Sequence, residues 1–253
     1  MAIKKFLTLE GQVEKLRNKN VVIDDTDIEK ILCDNNYYNL VSCSKIKFAT
    51  ERNPDGSYIY PPSNFTDWLL YFDIDCTLVG DIMKNILHFE RVVNSRTAYY
   101  VSELLHSGTL CNKSIDTLND AIAGRLNSTH YQGNEPWKHI AHKTFGELRQ
   151  IIKWLWRNNK RDIVRKIFAN YPFLKNNTLN ILDEIVNLRN SVFHFVPISI
   201  YLTYDKSQYN IRKKVIEYMY FENPAHISKN DMVEIFRETK KFVTIKKQPI
   251  SIG

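Results

Sequence analysis

The sequence has 253 residues, of which 43% are hydrophobic and 25% are charged, as is usual for a globular protein. Its eight glycines and eight prolines are few for a β-rich fold with many turns. No run approaches the ~18 consecutive apolar residues of a membrane span, and Glu10 interrupts the start of the chain before a signal-like region forms. The four cysteines contain no Cys-x-x-Cys pair, as is typical of reduced thiols. We therefore expect a cytoplasmic protein without a membrane partner, and the net charge of +7 permits a nucleic acid partner.

The first segment, residues 1–64, is predicted to be a small helical unit that carries a β-hairpin. Its helices are predicted at Leu9–Asn18 and at Asp25–Tyr38, where an Asp/Thr-rich cap opens the second helix. Asn53-Pro-Asp-Gly56 is a turn signal between two strand-like runs, and it predicts the hairpin. The two runs are Lys45–Thr50 and Ser57–Tyr60.

Residues 65–205 are predicted to form a helical bundle, because apolar residues recur there at helical spacing. We expect one helix at Phe65–Leu78 and a longer one at Asp81–His106. A polar stretch at 106–135 is expected to mix loop with a short helix. One or two helices are predicted to follow at Phe145–Ala169.

The last core helix of this bundle is predicted to run from Leu179 to near Val196. Pro197 cannot donate a backbone hydrogen bond and disfavours helix at the residue before it. Successive residues of a helix are about 100° apart, which places Arg189 about 140° from His194, on an apolar face. A polar stripe within roughly 60° on the other side consists of Asp183, Asn187, Asn190 and His194.

Two arginines lie on apolar helix faces, where a guanidinium is costly unless it is paired or reaches an interface. Arg96 interrupts the apolar stripe of one predicted helix, as Arg189 does on the later one. Glu90 and Glu103 are the nearest carboxylates in sequence. Two interpretations stay open: ion pairs between helices, or an active-site role for Glu90 and Arg96.

Basic residues are concentrated on two predicted surfaces. One helix face beside two tryptophans is a predicted phosphate-contact surface, although a solvated face would have the same pattern. Its cations, within about 80° of one another, are Arg149, Lys153, Arg157 and Lys160. Residues 206–253 hold ten Lys/Arg against five Asp/Glu and are predicted to be a basic helical appendage, with helices at Ile211–Phe221 and Asn230–Phe242. The predicted RNA contacts in this appendage are Arg212, Lys213 and Lys214.

Several common catalytic patterns are missing from the sequence. It contains neither a Gly-x4-Gly-Lys-Ser/Thr loop nor a Gly-x-Gly-x-x-Gly turn, which disfavours nucleotide-hydrolysing and dinucleotide-binding folds. His139 and His142 have no neighbouring Cys or carboxylate pattern, so no metal site and no cofactor is expected. Asp73 and Asp75 would point apart on a helix, which disfavours a paired-carboxylate site.

Six segments, in order over residues 4–200, resemble elements of the Abi abortive-infection family (the AbiD/AbiF-like proteins). The spacing Arg-x4-His is weak by itself, since Arg125 and His130 repeat it, but six segments in register are fairly specific. The segments are Lys5–Thr8 with Gln12, Asn36–Leu40, Phe72–Leu78, Glu90 with Arg96, Phe145–Leu148 and Leu182–His194.

The resemblance implies a HEPN-type helical bundle, a class in which an Arg-polar-x3-His signature marks metal-independent ribonucleases. It assigns this signature to Arg189, Asn190 and His194. It also implies that active sites form where two such helices meet, here most simply in a homodimer. Relatives are associated with phage defence, some beside a small noncoding RNA that binds or restrains them. The family often carries a second His where this chain has Phe195.

The sequence therefore predicts a metal-independent RNA endonuclease toxin of an abortive-infection system. In this hypothesis His194 moves the proton, Arg189 stabilises the phosphorane, and Asn190 orients the imidazole or the phosphate. The alternative is a non-cleaving RNA-binding protein that holds a structured noncoding RNA. A third interpretation is a structural helical partner of another defence protein.

Overall fold

The structure, a computed structural model, describes residues 6–24, 27–124, 135–174, 178–221 and 228–247. Within these residues the chain forms twelve α-helices and two small sheets of two strands each, which confirms the predicted all-α fold. The second Arg-x4-His pair, Arg125 and His130, lies outside the described residues. The helices are α1 (Leu9–Arg17), α2 (Ile28–Asp34), α3 (Tyr37–Phe48), α4 (Phe65–His106), α5 (Asn112–Ala123), α6 (Pro136–Ala141), α7 (Phe145–Arg157), α8 (Arg161–Ile167), α9 (Thr178–Phe193), α10 (Ile198–Tyr204), α11 (Tyr209–Phe221) and α12 (Lys229–Lys247).

Contacts between Cα atoms divide the chain into two compact units. Unit 1 comprises residues 1–83 and 190–253, and unit 2 comprises residues 84–189. The boundaries fall inside α4 and α9, so each of these helices belongs to both units. They do not follow the three segments drawn from composition, and that three-part division stays a prediction.

Unit 1 is built around α3, α10 and α12, which pack against one another. Ile235 and Phe242 of α12 are buried in this core, so the basic C-terminal region contributes apolar packing as well as charge. The first sheet pairs β1 (Val21–Val22) with β4 (Ser63–Asn64) in parallel, with Val21 opposite Ser63. Other fully buried side chains of this core are Leu16, Leu40, Ile46, Trp68 and Leu202.

The predicted hairpin is present, but the prediction of its first strand at Lys45–Thr50 was wrong. β2 (Glu51–Arg52) pairs antiparallel with β3 (Tyr58–Ile59), whereas Lys45–Phe48 is the last turn of α3. The Asn36 side chain accepts a hydrogen bond from the Tyr38 backbone N–H at 3.2 Å, so it begins α3 where the sequence predicted the end of a helix. Lysines in the last turn then favour the helix through its dipole.

α4 is one helix of 42 residues where the sequence predicted two. The predicted break lay around Gly80, but a single glycine costs a helix only about 1 kcal/mol relative to alanine. Val79 and Ile82, on either side of it, are both buried, so the apolar stripe continues through the glycine. Packing of that stripe therefore outweighs the local propensity.

Unit 2 combines its parts of α4 and α9 with α5, α6, α7 and α8. α7 begins at a capping box, in which Thr144 and Glu147 satisfy each other's backbone N–H groups. α5 and α7 pack together, and Leu118, Phe145 and Ile152 are buried between the elements of this unit. The two helices found at Phe145–Arg157 and Arg161–Ile167 agree with the prediction for that region. Among the described helices, none combines the length and apolar character that crossing a membrane requires.

Candidate functional site

α9 ends directly before His194, because the chain there makes a C-terminal capping motif. Phe195 has a positive φ of 53°, the left-handed conformation in which glycine is usual. Its backbone N–H donates to the Val192 carbonyl, and the Val196 N–H donates to the Ser191 carbonyl, each at 3.0 Å. The predicted end near Val196 was therefore too late, since the left-handed residue stops the helix before Pro197 can.

This ending leaves two of the predicted site residues open to solvent. Asn190 and His194 are both exposed, and the His194 backbone N–H donates to the Asn190 carbonyl at 3.2 Å. Asn190 therefore lies in the last turn of α9, and His194 follows one turn later, directly after the helix ends. The boundary between the units falls between Arg189 and Asn190.

Within unit 2, Arg189 pairs with Glu90 of α4. The Arg189 Nε lies 3.5 Å from the Glu90 Oε2, and the two side chains are 30% and 17% exposed. Glu90 is thus a carboxylate partner of Arg189, as the ion-pair interpretation of the sequence required. A role for either residue in catalysis stays a prediction. Arg96 has a different partner, since its Nη1 donates to the Ile167 carbonyl at 3.2 Å and Glu103 is exposed.

The predicted phosphate-contact surface on α7 divides into two parts. Arg149 and Lys153 both bind the Asp183 carboxylate, Arg149 through Nε and Lys153 through Nζ at 3.1 Å. Burial raises the pKa of Asp183, but hydrogen bonds from these two cations outweigh it and hold the pKa below its usual value. Arg157 is exposed and Lys160 is partly exposed, so these two remain available to a phosphate.

The three predicted RNA contacts of α11 also differ from one another. Arg212 is 7% exposed, donates from Nη1 to the Tyr201 carbonyl at 2.9 Å, and lies over the Tyr201 ring. Its burial does not fit the predicted role at an RNA surface. Lys213 lies over the Phe236 ring with its Nζ 3.6 Å from Glu217, and Lys214 is exposed.

Comparison with protein families shows which family the chain belongs to. The family model for Abi-like proteins matches residues 30–198. The chain belongs to the Abi-like family. This membership suggests a role in abortive-infection phage defence. Neither the curated proteins nor the solved structures gave a match.

The region of this Abi-like protein that the family covers includes a buried carboxylate that the sequence reasoning missed. Asp75 of α4 is fully buried and accepts hydrogen bonds from the Ile198 and Ser199 backbone N–H groups, the latter at 2.9 Å. It therefore caps α10, the helix that follows the His194 turn. Burial raises the pKa of Asp75, and the hydrogen bonds from Ser199 and Ile198 oppose that rise.

A signal for Asp75 was present in the sequence of this Abi-like protein. Asp75 follows Trp68 by two helical turns, and both are buried on one face of α4. A carboxylate at a core position needs a hydrogen-bond donor, which in this fold is a helix N-terminus. Asp73 is exposed, in agreement with the expectation that the two aspartates point apart. Among the described residues, no group of three or more His, Cys, Asp or Glu side chains could hold a metal ion.

Proposed function

We propose that this Abi-like protein is an RNA endonuclease that acts as a toxin in abortive infection. The 2′-hydroxyl of the substrate attacks the adjacent phosphorus as its proton is removed. The bond from phosphorus to the 5′-oxygen of the next nucleotide breaks, and that oxygen takes up a proton. The products carry a 2′,3′-cyclic phosphate and a 5′-hydroxyl, so the reaction as written consumes no water and requires no metal ion.

The roles follow from the chemistry of the three signature residues. His194 moves the proton, because an imidazole can give and take protons near neutral pH. Arg189 stabilises the negative charge of the phosphorane through its planar set of donors. Asn190 orients the imidazole or the phosphate. Glu90 holds the Arg189 guanidinium, and Arg96 supports the same unit through the Ile167 carbonyl.

The observation that supports this proposal most is the exposure of His194 directly after the last residue of α9. An imidazole at that place can reach a large polymeric substrate, and Asn190 is exposed one turn earlier on the same helix. The Arg189 side chain also keeps 30% of its surface exposed while it is paired with Glu90. A buried signature would have argued for a purely structural use of these residues.

A second copy of the chain is part of the proposal. The helical arithmetic of the sequence separates Arg189 from His194 by about 140°, so we expect one copy to direct only one of them at a given phosphate. In a homodimer with two-fold symmetry, the partner supplies the missing half of each site. Within unit 2, the exposed Arg157 and the partly exposed Lys160 are then expected to contact RNA phosphates, and Lys214 is an exposed cation of unit 1 with the same expected role.

A basic groove in unit 1 favours a second candidate function, the binding of a structured noncoding RNA without cleavage. The groove has a volume of about 340 Å³ and lies between α11 and α12, with Met232 and Phe236 in its apolar floor. Cations along such a groove can neutralise successive phosphates. The cations that line it are Lys213, Lys229, Arg237 and Lys240.

A denaturing gel separates the two functions. Purified full-length protein is incubated with RNA in the presence of EDTA, beside the His194→Ala variant and a His142→Ala control, in which an exposed histidine of unit 2 is removed. The proposed function predicts new fragments with the parent and the control, and intact RNA with His194→Ala. RNA that stays intact on this gel with all three proteins, and that is retarded by all three on a native gel, would instead support the binding function.

A further inference from the structure

A cavity of about 550 Å³ opens in unit 2 where the end of α7, α8 and the start of α9 meet. Its volume is within the range of small-ligand sites, roughly 300–1,000 Å³. The proposed cleavage chemistry gives no role to the residues that line it. Those that matter for its chemistry are Trp156, Arg161, Arg165, Phe168, Tyr171 and Thr178.

The aromatic wall of this cavity is held in place from behind by Phe89 of α4. The Phe89 ring meets Tyr171 edge-to-face at 4.6 Å between centroids and is nearly parallel to Phe168 at 6.3 Å. All three rings are buried, so packing fixes their positions and leaves little of their faces to a ligand, whereas the Trp156 ring that also lines the cavity is partly exposed. Because the wall is already ordered, little entropy is lost when a flat ligand binds against Trp156 beside it.

Two exposed arginines add positive charge beside this wall. The guanidinium carbon of Arg161 lies 5.2 Å from the centroid of the Trp156 ring, so a cation and an aromatic face are adjacent. Arg165 pairs with Asp162 at 2.8 Å, and both partners are largely exposed. Such an exposed surface pair contributes little to stability, so a phosphate can displace the carboxylate. Guanidinium groups bind phosphate through paired N–H donors.

We propose that this cavity binds one unpaired nucleotide of an RNA chain, with its base against the partly exposed Trp156 ring and its phosphate at Arg161 and Arg165. Aromatic rings stack on any base, and RNA-binding proteins recognise unpaired bases in this way. Because a ring surface and guanidinium groups occur together, the cavity matches a nucleotide better than an apolar peptide or a lipid chain. The inference rests on the proposed action on RNA.

The cavity lies at the start of α9, and this position suggests how the bound nucleotide would contribute to cleavage. Thr178 lines the cavity and begins α9, and Arg189 follows it on the same helix within unit 2. The separation along the helix axis is roughly 16 Å at 1.5 Å per residue. The cavity therefore holds a base a few nucleotides away from the scissile phosphate and contributes to the choice of cleavage site.

The test measures binding of the full-length protein to a single-stranded 2′-O-methyl RNA hexamer, which lacks the attacking hydroxyl and cannot be cleaved. Trp156→Ala and Arg161→Ala are each expected to weaken binding about tenfold. Arg161→Ala also lowers the slope of log affinity against log salt by about 1, whereas Trp156→Ala leaves that slope unchanged. Trp156→Phe keeps an aromatic ring and retains most of the affinity. Trp137→Ala, which removes another tryptophan of unit 2, binds as the parent does.

A second series removes one base at a time from the hexamer. At the position that enters the cavity, removal of the base lowers the affinity of the parent about tenfold. It leaves the affinity of Trp156→Ala unchanged, because the ring and the base act as a pair. Equal affinity of the parent, Trp156→Ala and Arg161→Ala overturns the proposal. So does an abasic loss that persists in Trp156→Ala, or adenosine monophosphate binding as tightly as the hexamer. Base-dependent binding together with an absence of cleavage of ordinary RNA would overturn the nuclease function and leave this site standing.

Discussion

At the scale of single residues, the left-handed backbone of Phe195 sets where α9 ends, and it therefore places His194 directly after the helix. A non-glycine residue in the left-handed region costs roughly 1–2 kcal/mol. The Phe195 side chain is 71% exposed, so it recovers little of that cost through packing. The pattern of apolar residues could not reveal this, because the conformation of one residue after a helix leaves no periodic trace.

We expect Phe195→Gly to raise the free energy of unfolding by about 0.5–1 kcal/mol. Glycine adopts the left-handed conformation without steric cost, although its greater freedom in the unfolded chain removes part of the gain. Phe195→Ala is the control, since alanine loses the ring and keeps the strain, and it should give no gain. Chemical denaturation measures both, and a loss of stability in Phe195→Gly would show that the ring has a packing role.

Glu90 forms an ion pair with Arg189, and in the proposed mechanism it positions the guanidinium. We expect Glu90→Gln to lower the single-turnover rate of RNA cleavage about tenfold or more, because small displacements of a catalytic group have large effects on rate. RNA affinity should change little, since the assigned contact of Glu90 is with Arg189 and not with RNA. Glu103→Gln, which alters an exposed glutamate of the same helix, is the control. Unchanged cleavage in Glu90→Gln would remove Glu90 from the site.

At the scale of elements, Asp75 joins α4 to the N-terminus of α10. Asp75→Ala leaves the Ile198 and Ser199 N–H groups without their acceptor in the core, so we expect a loss of about 2–3 kcal/mol in stability. Asp75→Asn keeps one of the two oxygen acceptors and removes a buried charge, but its NH2 group faces the other backbone N–H, so its cost should be smaller than that of Asp75→Ala but not zero. Equal losses in the two variants would show that the cap is not what Asp75 contributes.

The pH dependence of the Asp75 contribution has a defined sign. Burial raises the pKa of this acid in the folded protein, so the folded state holds the proton more tightly than the unfolded state. The parent should therefore lose stability relative to Asp75→Asn as the pH rises above about 4, the ordinary pKa of aspartate. Denaturation of both proteins at several pH values measures the difference.

Asp183, which joins α7 to α9, should behave in the opposite way. Its pKa is lowered in the folded protein, so its contribution is present above about pH 4 and is lost as the pH falls through the folded value. Asp183→Asn should cost about 1–2 kcal/mol near pH 7 and progressively less in acid. Asp162→Asn, at an exposed ion pair, should cost almost nothing at either pH. A loss from Asp183→Asn that is independent of pH would contradict the assignment.

Much of the helical architecture could be predicted from periodicity, while the partners of polar groups could not. The helices around Leu182 and Ile152 follow from apolar spacing, and Arg189 was expected to need a carboxylate. The acceptor of Arg96 is a backbone carbonyl, and no sequence pattern marks which carbonyl lies opposite a side chain. Asp75 was missed for a related reason, because its donors belong to α10, far along the chain.

At the scale of the whole molecule, basic charge and apolar core share the same C-terminal helices. The net charge of +7 supports an acidic polymer as the partner, but Arg212 shows that a cation in a basic segment can serve the core instead. RNA contacts are therefore expected from exposed cations such as Lys214. Composition measures the charge of a segment, and only packing determines which side chains carry that charge to the surface.

The chemistry of the RNA ends after incubation with the full-length protein in EDTA tests the proposed cleavage reaction most directly. We expect 2′,3′-cyclic phosphate and 5′-hydroxyl ends, and a cleavage rate at least about a hundredfold lower in His194→Ala. His142→Ala should cleave at the parent's rate. Cleavage by His194→Ala at the parent's rate, or products with 3′-hydroxyl and 5′-phosphate ends, would contradict the claim.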